Sequence, residues 1–186
     1  NDPKVKSAAL RILSHRWREL PDALKVLEEA AANEHPLVRL WAVAVLAEIR
    51  KPDAFSIALK VLDRTMDENL DFLLEQTARE QADVWMPALQ KGKIVLSERP
   101  KHLVYAMKAT GRSDALPPLF EALAKKKLSA EDAAGVIEMA AAAADAVQAK
   151  QMVDMLANPE LAGYQTAILD SLIKASETRK IVPEGA

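Results

Sequence analysis

The sequence predicts an all-α solenoid: a right-handed α–α superhelix of about five helix pairs behind one leading helix, in a single domain over residues 1–186. Three observations predict it. The composition favours helix, with 34 alanines and only 5 glycines among 186 residues; alanine has the best helix propensity and glycine nearly the worst. Aspartates recur in short polar breaks at Asp22, Asp53, Asp83, Asp114 and Asp145, spaced 31, 30, 31 and 31 residues apart. A second phase of helix openers lies between them: Pro3, Pro36, Pro100 and Pro159, with Asp67-Glu68-Asn69 and Ser129-Ala130-Glu131 in the same role. Proline suits the first helical position, where its missing N–H would be unpaired anyway. Two interleaved phases of one period describe a helix–turn–helix unit in tandem.

The elements follow in order. The leading helix, 4–14, reads as the second half of a repeat. The pairs then span 22–50 (helices 22–33 and 36–50), 53–80 (53–65 and 68–80), 83–110 (83–91 and 100–110), 114–143 (114–126 and 129–143) and 145–176 (145–157 and 160–176). Each periodic aspartate is expected as an N-cap, its carboxylate accepting from the free N–H groups of the first turn. Residues 92–99, opened by Gly92, are the longest loop, and 177–186 read as a frayed tail. Helix 22–33 places Ala23, Leu24, Leu27, Ala30 and Ala31 on one stripe, and helix 160–176 does so with Leu161, Tyr164, Ile168 and Leu172. Helix 36–50 is apolar nearly all round, from Leu37 and Val38 through Trp41, Val43 and Leu46 to Ile49. Such a helix is buried on most sides, as in the middle of a stack whose repeats cover one another's apolar faces.

The bulk properties remove several function classes. A net charge of −2 and a pI near 6.0 give no global attraction to nucleic acid or an anionic membrane. Without cysteine there is no disulfide, thiolate metal site, cysteine nucleophile or c-type haem attachment. No run of 18 apolar residues offers a membrane span. The chain starts Asn1-Asp2-Pro3, without Met, and is read as a piece of a longer protein, so the compartment stays open.

Val-Lys or Val-Arg near the start of second helices (Val5-Lys6, Val38-Arg39), followed by Ala/Leu-rich turns, resembles HEAT repeats. DPKVKSAALRIL and HPLVRLWAVAVLAEI carry the pattern, and the general likeness covers nearly the whole chain. This implies a HEAT/armadillo-like fold used for protein binding. Residues 68–123 also resemble the HEAT segment of very large planctomycete and verrucomicrobial multidomain proteins. In those, a dehydrogenase-like propeller precedes the repeats and a c-type haem domain follows. The matching positions are Leu70, Asp71, Thr77, Arg79, Glu80, Trp85, Pro87, Ala88, Leu89, Gly92 and Gly111; where that pattern has an aromatic, this chain has Glu75. The resemblance implies a spacer or docking segment of an exported, periplasmic redox protein, with neither haem nor active site in this stretch.

In such a solenoid the second helices line the concave face, so their polar and aromatic residues are the binding candidates. These are Arg39, Trp41, Asp71, Glu75, Arg79, Tyr105 and Lys108. Trp, Tyr and Arg are common interface anchors. Arg39 and Asp71 also hold equivalent places 32 residues apart, which fits an inter-repeat ladder of ion pairs instead. Trp17, in Ser14-His15-Arg16-Trp17-Arg18, could stack on a base or fill the corner between helices 4–14 and 22–33. Lys125-Lys126-Lys127 reads as a solvated helix end that complements the dipole. His15, His35 and His102 lack partners at ligand spacing, and no catalytic or phosphate-loop motif is present. No catalytic residue, cofactor or metal site is therefore expected.

The leading reading is a non-catalytic scaffold for a protein or for neighbouring domains of a parent chain, with no nucleic acid and no membrane insertion. The apolar repeat ends also suggest self-association. Two alternatives compete. A HEAT-like alkyl-base glycosylase would draw on Trp41, Trp85, Asp71 and Arg79 and would need a basic face. A HEAT-type tetrapyrrole lyase or chaperone would perturb the Soret band of added haem.

Overall fold

The computed structural model describes residues 2–96 and 98–183. These contain eleven α-helices and no strand, in agreement with the all-α, HEAT-type helical-repeat class expected. The chain divides into two compact units, residues 1–98 and 99–186. The division falls at the end of the long loop; Ser97 of that loop and Asn1 lie outside the described residues.

The first unit contains α1 (Pro3–Arg16), α2 (Ala23–Ala31), α3 (Pro36–Glu48), α4 (Pro52–Ala58), α5 (Glu68–Glu80) and α6 (Ala82–Gln90). They form two layers. The second helices α1, α3 and α5 lie side by side, the first helices α2, α4 and α6 do likewise, and α2 pairs with α3 and α4 with α5. The apolar girth of α3 explains its place. It packs on α1, α2, α4 and α5 at once, burying Val38, Ala42, Val43, Val45 and Leu46. In the first-helix layer Phe55 of α4 stacks on Trp85 of α6, with centroids 4.7 Å apart and both rings wholly buried. The Trp85 indole N–H also donates to the Ala78 carbonyl on α5 at 2.8 Å, so burial leaves no orphan donor.

Polar links recur at about one repeat length. Gln81 donates to the Ala47 carbonyl at 2.6 Å, Arg50 grips Asp83 through two bonds of 2.8 and 2.7 Å, and Lys60 pairs with Glu28. Each ties together segments about one repeat length apart, which is how a tandem array acquires cooperativity.

The second unit contains α7 (Pro100–Thr110), α8 (Leu116–Ala124), α9 (Ala130–Ala143), α10 (Ala146–Leu156) and α11 (Gln165–Arg179). Here α9 lies between α7 and α11, and α8 packs on α10. The buried Ser171 hydroxyl donates to the Ile137 carbonyl at 2.9 Å, tying α11 to α9. Gly111, at φ +61°, closes α7 in the left-handed conformation that costs glycine least. Lys125 and Lys126, just past α8, pair with Glu121 and Glu160.

The expected aspartate caps need correction. Of the five, only Asp145 caps through its side chain, in a capping box in which its carboxylate accepts from Val147 and Gln148 and its own N–H donates to the Gln148 side chain. At α4, Pro52 takes the first helical position and Lys51 the cap, so Asp53 falls inside the first turn. Asp83 sits likewise inside α6, where it holds Arg50. Asp22 holds the N-cap position of α2 and its carbonyl accepts from Val26, but its side chain makes no cap bond, and Asp114 lies in a 3-10 turn paired with Arg112. The second-phase openers behave as expected: Asp67 and Ser129 cap α5 and α9, and the ring nitrogen of His35 caps α3.

Three expected helices are partly 3-10. Leu59–Asp63 continues α4, Ser113–Ala115 precedes α8 and Pro159–Tyr164 precedes α11. The tighter winding over Leu59–Asp63 buries Leu59, Val61 and Leu62 together, although Val61 lies off the α-helical stripe of the other two. The expected tail is shorter than 177–186, because α11 runs to Arg179; residues 184–186 lie outside the described part.

Candidate interaction surface

Five of the seven candidate residues lie on α3 and α5 in the first unit, and Tyr105 and Lys108 lie on α7 in the second. The side chains differ sharply in what they do. Arg39 is 1% exposed and so is not part of any surface. Its Nη1 donates to the carbonyls of Asn33 and Glu34, both at 2.8 Å, and its Nη2 donates to the carbonyl of Thr65. The guanidinium thereby fastens the loop before α3 to the loop before α5. Burial pushes its pKa down, Asp67 pulls it up, and Arg64 adds to the lowering. The expected ladder partner, Asp71, is exposed on α5, whereas Arg39's hydrogen bonds go to main-chain carbonyls.

Trp41 is half-buried on α3, and the Arg11 guanidinium of α1 lies over its ring, 5.3 Å from the centroid. A cation over an indole face is held by the ring quadrupole, and the pair joins adjacent second helices. Glu75 and Arg79 form an ion pair one turn apart along α5. Phe72, on the same helix, is 67% exposed. Sequence reasoning overlooked it, yet the signal was available. The buried stripe of α5 is Leu70, Leu74, Thr77 and Ala78, and position 72 points away from it on a helical wheel. The row of second helices in this unit thus presents an exposed phenyl ring, an Arg-covered indole and a paired Glu–Arg.

On α7, Tyr105 is half-buried, and the Lys108 side chain lies across α9 at Gly135. A Cβ at position 135 would meet the Lys108 ammonium at 2.1 Å, so the missing side chain makes room for that lysine. Trp17 is half-buried in a 3-10 turn, with Arg18 and Lys51 over its ring at 4.4 and 6.0 Å, and so bridges the end of α1 to the α3–α4 turn. Trp85, a residue the glycosylase alternative would use, is in the core and unable to line a face. Among the described residues no group of three or more His, Asp or Glu is placed to hold a metal ion. No helix among them is long and apolar enough to cross a membrane.

Comparison with known proteins adds one finding. Residues 1–83 match the family model of HEAT repeats. Neither the curated proteins nor the solved structures include a match to the chain. The matched stretch begins with α1 and ends in the first turn of α6, so it covers α1 to α5. Over residues 1–83 the chain is therefore similar to HEAT repeats.

Proposed function

We propose that the chain is a non-catalytic scaffold that holds a protein partner or neighbouring domains through the row of second helices in its first unit. HEAT repeats generally mediate protein–protein interaction and are generally non-catalytic. One observation carries the reading: α5 exposes Phe72 beside the Glu75–Arg79 pair, in a row that also carries Trp41 and Arg11. Aromatic and arginine side chains supply most hot-spot energy at interfaces, because they bury much area at little entropic cost. The likeness of residues 68–123 to the HEAT segment of large planctomycete and verrucomicrobial proteins supports a further proposal. In it the chain is a docking segment of a larger multidomain bacterial protein.

Selection of a randomised peptide library on the intact chain tests the surface. Both Phe72→Ser and Arg79→Glu alter exposed positions and leave the core intact. The reading expects each to weaken the selected binders roughly tenfold. Binders indifferent to both substitutions would refute it.

A further inference from the structure

The charges on the row of second helices in the first unit are segregated from one edge to the other. α1 carries Lys4, Lys6, Arg11, His15 and Arg16 and no acidic residue, whereas α5 carries Glu68, Asp71, Glu75 and Glu80 against Arg79 alone. α3, between them, adds only Glu48 in its last position, since Arg39 is buried; its open side is Leu37, Leu40, Trp41 and Ala44. Among the described residues Lys4, Arg11 and Glu68 are exposed and enter no ion pair. Arg16 and Arg79 are held by Glu19 and Glu75, close by in the chain. Folding does not account for the basic edge. Lys4 and Lys6 lie within the first four residues of α1, where the positive end of the helix dipole disfavours cations.

Such a row fits an occupant whose own charges run in the reverse order. Packed helices stand about 8–10 Å apart, so α1 and α5 are about 20 Å apart, and an extended chain covers that span in about six residues. Two copies laid face to face could also match α1 with α5. The row is only three helices wide and thirteen or fourteen residues long, however, about 20 Å by 20 Å. A contact of that size would bury on the order of 800 Å² in all, short of the roughly 1,200–2,000 Å² of a stable interface. A short extended segment is matched to the row in both length and charge order.

We propose that the row binds an extended, charge-segregated segment of a partner protein, laid across the helices in one direction. Acidic residues of the segment lie over Lys4 and Arg11 of α1, an apolar or aromatic residue lies on Trp41 and Phe72, and basic residues lie over Glu68 of α5. The two aromatic side chains supply the apolar contact, and the two charged edges set the direction. The proposal rests on the scaffold reading and adds the chemistry and the direction of the partner.

The probes are two synthetic peptides of about ten residues and identical composition. In one, an Asp block, a Leu-Phe-Leu centre and a Lys block follow in order; in the other, the Asp and Lys residues are interleaved around the same centre. Fluorescence anisotropy on the intact chain should show the ordered peptide binding at least roughly tenfold more tightly. A benzophenone at its acidic end should cross-link to α1, and one at its basic end to α5, as read by mass spectrometry of digests. Lys4→Glu and Arg11→Glu combined with Glu68→Lys and Glu80→Lys, all at exposed positions, should turn the peptide round and swap the two cross-links. Equal affinity of the two peptides, binding of neither, or cross-links that do not depend on which end carries the benzophenone would overturn the proposal. So would a dimer in sedimentation that the peptide cannot displace, since the occupant would then be a second copy. Phe72→Ser separates this proposal from the scaffold reading beneath it. Equal binding of both peptides that Phe72→Ser weakens would strike the charge order and keep the row as a binding surface, whereas binding indifferent to Phe72→Ser would count against both.

Discussion

Replacing Arg39 with methionine tests how adjacent repeats are held together. The substitution removes three hydrogen bonds from a charged donor, to the carbonyls of Asn33, Glu34 and Thr65. Bonds of that kind contribute about 1.5–3 kcal/mol each, so the gross loss is about 5–9 kcal/mol. Two effects offset it. Methionine fills much of the volume and ends the desolvation of a guanidinium that is 1% exposed and whose Nε has no partner. The freed carbonyls belong to half-exposed or exposed residues, where water replaces part of what they lose. The net expectation is a loss of about 2–4 kcal/mol, well outside the range of surface substitutions. Urea unfolding of the intact chain, followed by far-ultraviolet circular dichroism, should show a lower midpoint at unchanged slope. Arg39→Lys should recover little, because an ammonium cannot span carbonyls in two loops as the planar fork does. Arg79→Met, which removes an exposed pair, should change stability by no more than about 1 kcal/mol. If Arg39→Met costs no more than Arg79→Met, the guanidinium is not the fastening described.

Three further outcomes follow from the packing, caps and charges. Trp85→Ala removes a fully buried ring stacked on Phe55, and should cost about 3–5 kcal/mol in the same unfolding assay. Asp145→Ala should cost about 0.5–2 kcal/mol by removing a true cap, whereas Asp53→Ala should cost no more than about 1 kcal/mol, since only the helix dipole is affected; equal losses would contradict the cap assignment. The Arg112 side chain holds the Asp114 carboxyl below its ordinary range. Its contribution to stability is therefore present above the usual aspartate pKa and lost as pH falls through the lowered value. Unfolding curves of the parent and Arg112→Gln should differ slightly near neutrality and converge in acid; a difference that persists in acid would refute this linkage.

The period of the fold was readable, but the work done by the periodic residues was not. Proline at a helix start and apolar spacing are local properties, so α1, α3, α5 and α7 lie close to where the sequence puts them. The aspartates mark turns correctly, yet which residue caps depends on the backbone angles just before the helix. Pro52 sets those angles one residue early and moves Asp53 inside. Arg39 shows a second limit. Its spacing from Asp71 suggested an ion-pair ladder, but at this loop junction the acceptors the buried guanidinium reaches are main-chain carbonyls, which are the same in every sequence. Phe72 could have been found, because helical phase alone puts it outside the buried stripe of α5.

In the first unit the second helices stand side by side, α1 against α3. The chain has no cysteine, so an introduced pair reports on one contact alone. Arg11 and Trp41 face each other across α1 and α3, with the guanidinium carbon 5.3 Å from the ring centroid. With cysteines at both positions, a short bismaleimide should link them within one chain in high yield. Single-cysteine variants that label fully while the pair stays unlinked would contradict the arrangement.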